Sequence, residues 1–462
     1  MNMLVHHSSK LVIVIIVIAV VVFLHPPLHT CAWGQENNVE RQMTIIQAIR
    51  SALLDNHEIR AMKSSSMAQG SEVGVARSYL LPKVNFEERY SRTTNPTYAF
   101  MDRLNQERIT QQDFNPDLLN HPDAIGDYQT SVTIEQPVFI RKAFIGLDIS
   151  KKEALAKDDE LKRKREEVAF QVFRACLMII SAKEYIKAVQ QGVDDAKEHL
   201  RVANLRYNNN LGQYSDTLRA STALMDAQQK RNSADKNLTL AKRTLGLLLS
   251  TSETIDVADN AIELPFKDLP IYVKAAESRG DIRAAQLRQE NAYQNVRMVE
   301  SGYLPYLGVG GSYQFNDHDR PFGSEGDSWL AMAFLRWDLF DGTKREYERA
   351  KAKHLASQAT EQLAANKQGV SYRIAEAYMD VEEARKNSEL ARESLKTAEE
   401  GARLVRLRYE NGLMSLSDLL SAQTSLEQAR AGLVARENAY RLAVATLSFE
   451  SGTILKDLNV EG

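Results

Sequence analysis

Asp317, His318 and Asp319 stand side by side, three side chains of the kind that can hold a cation. Adjacent polar residues in a loop are far more often simply solvated, so no metal site is expected there. The remaining reactive groups are scattered. His57, His121, His199 and His354 are dispersed along the chain, and no nucleophile elbow, phosphate loop or zinc spacing accompanies them. Of the two cysteines, Cys31 falls in the N-terminal segment described below, which leaves Cys176 without a disulfide partner and beside a core position. This set does not make an enzyme, and no cofactor is implied. A net charge of −3 over 462 residues gives no electrostatic reason to expect nucleic acid.

Two carboxylates, in contrast, occupy matched positions. RYNNNLGQYSDTL, residues 206–218, and RYENGLMSLSDLL, residues 408–420, share one frame without a gap, which aligns Asp216 with Asp418. Both stretches read as a tight turn between helices. Asn210 or Gly412 suits a left-handed turn residue. Ser215 and Ser417 stand where they can cap the returning helix, and Asp216 and Asp418 then fall in its first turn, where the helix dipole favours a negative charge.

The elements that carry these turns are also written twice. Val168, Val172, Ala175, Ile179, Ala182, Ile186, Val189, Val193, Ala196, Leu200, Ala203 and Tyr207 step by four and three. The same register runs in the second copy from Val370, Ile374, Ala377 and Val381 to Ala402, Val405 and Tyr409. A sustained period of 3.5 means coiled-coil packing with a left-handed supercoil. Upstream, residues 44–63 resemble residues 271–287, and each leads to a Leu-Pro, Leu81-Pro82 or Leu304-Pro305, where a helix must stop.

After each Leu-Pro the period changes to two. Leu307, Val309, Tyr313 and Phe315 alternate with Gly308, Gly310, Ser312 and Gln314, one apolar face against one small, polar face. That is the pattern of a membrane barrel strand, or of an ordinary soluble hairpin. Tyr303, Tyr306, Trp329, Trp337 and Phe340 gather near the strand ends, as an interfacial belt requires.

Ahead of both copies, Lys10 precedes the apolar run Leu11 to Leu24 and a helix-breaking Pro26-Pro27. The run is short for a membrane span, and Ala32-Trp33-Gly34 offers small residues for cleavage, so a signal peptide over residues 1–34 is expected. An uncleaved anchor and a lipidated Cys31 are the alternatives.

The chain therefore divides into a first repeat over 35–250 (helix 44–79, strands 84–94 and 130–140, helices 141–207 and 216–250) and a second over 271–451 (helix 271–302, strands 307–316 and 328–340, helices 342–409 and 417–451). A linker at 251–270 and a tail at 452–462 complete it, and residues 91–129 read as a long polar surface loop. Each long helix spans about 100 Å at 1.5 Å per residue, and each half-length helix about half of that. Strands therefore sit at one end of the axis, turns at the other and the linker at mid-height. Four strands cannot close a barrel and an open edge in lipid is very costly, so the chain must pool strands with further copies.

The order of elements, the duplicated Leu-Pro strand starts and the duplicated RY…SD-x-L turn resemble TolC-type outer-membrane efflux proteins over essentially the whole mature chain. The resemblance implies a mostly helical fold with a membrane sheet: a homotrimer with a twelve-stranded outer-membrane barrel continued by a twelve-helix periplasmic coiled-coil tunnel. It implies outer-membrane lipid, a periplasmic adaptor and an inner-membrane pump as partners, and a passive exit duct for small molecules. Protein secretion through a type I system is the alternative within that class, and a soluble periplasmic coiled-coil scaffold the alternative outside it. The turns then become the periplasmic tips. The resemblance places a gate at Asp418 and Tyr409, with Asp216 and Tyr207 as their counterparts, and adaptor docking at Asn210, Leu211, Ser215, Gly412, Leu413 and Ser417. A second family carboxylate falls on Ser421 here and a tip arginine on Met414, so the closing bonds differ.

Overall fold

Both Leu-Pro pairs separate a helix from a strand, and the chain between them makes one continuous architecture. The structure, a computed structural model, describes residues 41–258 and 262–460. The expected signal peptide, its cleavage after Gly34 and Cys31 lie outside the described residues. The first repeat runs β1 (Arg41–Met43), α1 (Ile45–Asp55), α2 (His57–Ser78), β2 (Lys83–Thr93), α3 (Pro96–Asn105), α4 (Pro116–Asn120), β3 (Ile125–Phe139), α5 (Arg141–Asn208) and α6 (Tyr214–Leu248). After β4 (Ile255–Val257) the second runs α7 (Leu269–Ala276), α8 (Gly280–Glu300), β5 (Tyr306–Asp317), β6 (Gly326–Arg336), α9 (Lys344–Glu410), α10 (Leu416–Glu450) and α11 (Ile454–Asp457).

The long helices bury the stripe that the 3.5 period marks. Val168, Val172, Ala175 and Ile179 on α5, and Val370, Ile374, Ala377 and Val381 on α9, are all buried. At mid-height the α5 residues join Ile45, Ile49, Leu245, Ala445 and Ile454 and the parallel pair β1–β4 in one core, with Arg41 opposite Ile255 and Met43 opposite Val257, while the α9 residues pack in a second core with Tyr272, Ile282 and Leu447. Full burial of such a side chain stabilises by roughly 1.5–3 kcal/mol, so this belt holds the two copies together. Cys176 is part of it, and burial pushes its thiol up to about 12.

Four expectations need correction. The helix expected over 44–79 is two helices, because Asn56 takes an extended backbone and caps α2, accepting from the N–H of Glu58 at 2.9 Å and of Ile59 at 3.3 Å. The helix expected over 271–302 also breaks, before Gly280, where Arg279 leaves the helical backbone without a side-chain cap bond. A Cβ on Gly280 would stand 2.1 Å from the Asp159 carbonyl oxygen, so only glycine lets α8 approach α5 so closely. Arg279 at the break is buried, its guanidinium 2.8 Å from Asp281 and 3.1 Å from Glu450. The loop expected over 91–129 contains α3 and α4, each started by an asparagine cap followed by proline at the first helical position. The strand expected to reach Phe340 ends at Arg336, and Gly342 and Thr343, both at φ +70°, turn the chain into α9.

One antiparallel sheet, in the order β2-β3-β5-β6, stands at the end of the helices. Its register puts Val84, Phe86, Val132, Ile134, Val309, Tyr313, Trp329 and Leu335 on a single face, and every one of them is exposed. Gly308, Gly310, Ser312 and Gln314 lie on the other face with Glu87, Arg89 and Glu135. Both outer edges, on β2 and β6, have no strand beside them among the described residues.

Candidate functional site at the hairpin tips

Each long helix ends in the same backbone motif. In the first tip, Asn210 at φ +58° lets its own N–H reach the Tyr207 carbonyl at 3.0 Å and the Leu211 N–H reach that of Arg206 at 2.8 Å. In the second, Gly412 at φ +76° bonds Tyr409 at 3.0 Å and Leu413 bonds Arg408 at 2.8 Å. Asn209 and Asn411 each donate a side-chain N–H to the carbonyl four residues back, at 2.8 Å. These bonds satisfy the orphan carbonyls of the helix end and force the reversal. Leu211 and Leu413 are thereby pushed out, 69% and 75% exposed.

The returning helices start differently from the expectation. Ser417 and Ser215 lie inside the first turn, and the cap of α10 is Ser415, whose hydroxyl accepts from the Asp418 N–H at 3.2 Å. Asp418 completes a capping box: its Oδ2 accepts from the Ser415 hydroxyl at 2.7 Å and from the Ser415 N–H at 3.2 Å. Those bonds, the hydroxyl's first, hold the Asp418 carboxyl below the usual carboxylate range and keep it charged. In the first copy the cap position is Gln213, which makes no side-chain cap bond, and Asp216 sits in the first turn without a box. Ser215 bonds only the Gln213 side chain, at 3.2 Å.

The two tyrosines also part company. Tyr409 is buried among Ala203 and Ala220 of the first hairpin and Leu416 and Leu419 of its own. Tyr207, its counterpart, is 44% exposed, and its ring lies beside that of Tyr214 in its own tip, at 5.4 Å between centroids. Burial raises the Tyr409 phenol, and its hydroxyl has no hydrogen-bond partner among the described residues.

The residue that joins the tips is Arg206, which the repeat contains but spacing does not single out. Its guanidinium lies 4.9 Å from the centre of the Tyr409 ring and donates to the carbonyls of Tyr409, Glu410 (3.4 Å) and Leu211 (3.2 Å). One cation therefore serves the C-terminal ends of the two long helices, α5 and α9, where helix dipoles favour it. About two to three turns higher, Asp195 accepts from Gln423 at 3.0 Å and Arg430 at 2.9 Å, and the buried His199 faces Gln423 at 3.5 Å. Burial holds this ring's pKa below its ordinary value.

Comparison with known proteins places this arrangement. The family model described as outer membrane efflux protein matches residues 48–251 and 271–453. The chain belongs to the outer membrane efflux protein family. It is 20% identical over 426 residues to the outer membrane protein TolC of Salmonella enteritidis, covering 89% of this chain and 82% of that protein. Among solved structures, the CmeC outer membrane channel of Campylobacter jejuni superposes with a TM-score of 0.75 at 16% identity, over 89% of this chain and 86% of CmeC. The outer membrane protein VceC of Vibrio cholerae does so with 0.74 at 16% identity, over 89% and 96%. The fold of this efflux protein is therefore that of an outer-membrane channel subunit, and its place is the outer membrane.

Proposed function

We propose that three copies of this chain close one barrel in the outer membrane and one helical tunnel below it. The assembly is a passive exit duct for small molecules, not an enzyme. The observation that carries this reading is the sheet: one exposed apolar face, one small and polar face, and two free edges. Lipid satisfies the first, a water-filled lumen the second and neighbouring copies the third.

The tips support the same assembly. Within one chain Arg206 of the first hairpin clasps Tyr409 of the second. In a closed ring of alternating hairpins, the exposed Arg408 of the second hairpin meets Tyr207 in the first hairpin of the next chain. The tips then form the periplasmic mouth. Asp418 and Asp216 put carboxylates at its rim, and the arginine–tyrosine contacts hold it narrow. Asn210, Leu211, Ser215, Gly412, Leu413 and Ser417 form the face on which a periplasmic adaptor docks, with the bare Leu211 and Leu413 as its apolar contacts. An inner-membrane pump supplies the energy.

The test is single-channel conductance of the detergent-extracted protein in a planar bilayer, with mass determined on the same sample. Trimer mass with a small, cation-selective conductance is expected. A monomer without conductance would overturn the duct.

A further inference from the structure

The hairpin between β5 and β6 stands at the end of the sheet away from the helices. There the fold brings Glu325 to the Asp317-His318-Asp319 run, and ligand atoms of Asp317, His318 and Glu325 all lie within 4.8 Å of one another. His318 is flanked by carboxylates at both ring nitrogens, with Glu325 Oε2 2.7 Å from Nδ1 and Asp319 Oδ2 3.2 Å from Nε2. A neutral imidazole has one N–H and one lone pair. With the N–H turned to Asp319, the Nδ1 lone pair faces a carboxylate oxygen at hydrogen-bond distance, two acceptors with nothing between them.

Asp317 presents a further oxygen to the same point. Its side chain is only 4% exposed, and Oδ1 accepts the backbone N–H groups of Asp319 at 2.8 Å and Arg320 at 3.1 Å. Oδ2 makes no hydrogen bond; the nearest cation is Arg320 Nε at 3.7 Å, on a side chain 76% exposed. Gly323 packs its backbone against this carboxylate, since a Cβ there would lie 1.9 Å from Oδ2.

We propose that Asp317, His318 and Glu325 hold a divalent transition-metal ion of the zinc type, through Nδ1 and two carboxylate oxygens, with water in the fourth position. Asp319 is the outer carboxylate on Nε2–H that fixes the tautomer, a common partner of metal-bound imidazole. Ligand atoms of a tetrahedral zinc site with bonds of about 2.0–2.2 Å stand about 3.4 Å apart, so separations here must change by up to about 1.4 Å to close on an ion. The ion would tie the last residue of β5 to the residue before β6 and pin the hairpin mouth.

The experiment is zinc titration of the full-length protein in detergent, free of any histidine tag, with bound metal counted after dialysis and Co²⁺ absorption read in parallel. One zinc per chain and a tetrahedral cobalt spectrum are expected. His318→Ala should weaken binding at least about 100-fold and Asp319→Asn about 10–100-fold. Glu325→Gln keeps the shape of the hairpin while removing the ligand charge, so its loss of binding separates ligation from misfolding. Arg320→Ala should bind at least as well as the parent. No retained metal, or unchanged binding in both His318→Ala and Glu325→Gln, overturns the site; no uptake is also the outcome if an imidazolium alone bridges the carboxylates.

Discussion

At the scale of single residues, two copies of one sequence frame do different work because their surroundings differ. Arg206 gives up part of its hydration to bond three carbonyls and cover one ring, so its replacement leaves helix-end carbonyls and the Tyr409 face open. Arg206→Ala should raise single-channel conductance severalfold, and Arg206→Lys should recover only part of the closure, since an ammonium cannot fork between two hairpins. Equal conductance in parent and alanine variant would remove Arg206 from the mouth. The caps give a second prediction. Ser415→Ala should cost the α10 start about 1 kcal/mol and speed amide exchange at Ser417–Leu419, whereas Ser417→Ala should be nearly silent. The reverse ranking would restore the cap assignment read from the sequence. Two serines stand two apart in SLSD, and composition favours neither. What decides is the backbone at Ser415, φ −81° and ψ 158°, which turns helical only at the next residue.

At the scale of elements, the order of helices and strands was legible because period and proline are local properties. The 3.5 period marks the buried stripe and each Leu-Pro marks a strand start. The breaks at Asn56 and Arg279 were not legible, because their partners are remote: Asn56 donates to the Leu248 carbonyl 192 residues on, and Arg279 reaches Glu450 171 residues on. Gly280→Ala should therefore lower thermal stability by about 1–3 kcal/mol through the clash with the Asp159 carbonyl; an unchanged melt would mean that α8 does not approach α5 so closely. The packing of α5 on α10 carries a pH dependence. His199, among Gln423, Asp195, Glu198 and Arg406, has a folded pKa below 6.5 because it is buried. Above that value the ring is neutral folded or unfolded and contributes no slope. As pH falls below 6.5 the unfolded chain takes up the proton first, so stability declines until the folded ring also protonates. That loss cannot exceed about 1.4 kcal/mol per pH unit, and His199→Gln should flatten it in melts taken at about pH 7.5 and 5.5. An unaltered slope in the variant would assign the acid sensitivity elsewhere.

At the scale of the whole molecule, the internal repeat specifies how copies meet. Inside the chain the second strand of the first copy, β3, pairs with the first strand of the second copy, β5. The equivalent step at the open edge pairs β6 with β2 of the next chain, and the register transfers with it. Glu135 stands opposite the first residue of its hairpin, Lys83, as Arg336 stands opposite Tyr306. Glu135 pairs with Gly310, which follows Pro305 at the same distance as Glu87 follows Pro82. Arg336 therefore falls opposite Glu87 of the next chain, an opposite-charge pair on the polar face of the sheet. The double variant Glu87→Cys with Arg336→Cys should form disulfides between chains on mild oxidation and run as a covalent trimer in denaturing gels, while each single variant should not. Cys176 does not interfere, being buried with its thiol raised to about 12. Crosslinking in a pair shifted two residues along, Phe334→Cys with Glu87→Cys, should be weaker, because one register step separates those side chains. If the shifted pair crosslinks better, the copies meet in another register. If neither pair crosslinks while the protein retains trimer mass, the edges of β2 and β6 are not the surfaces that join.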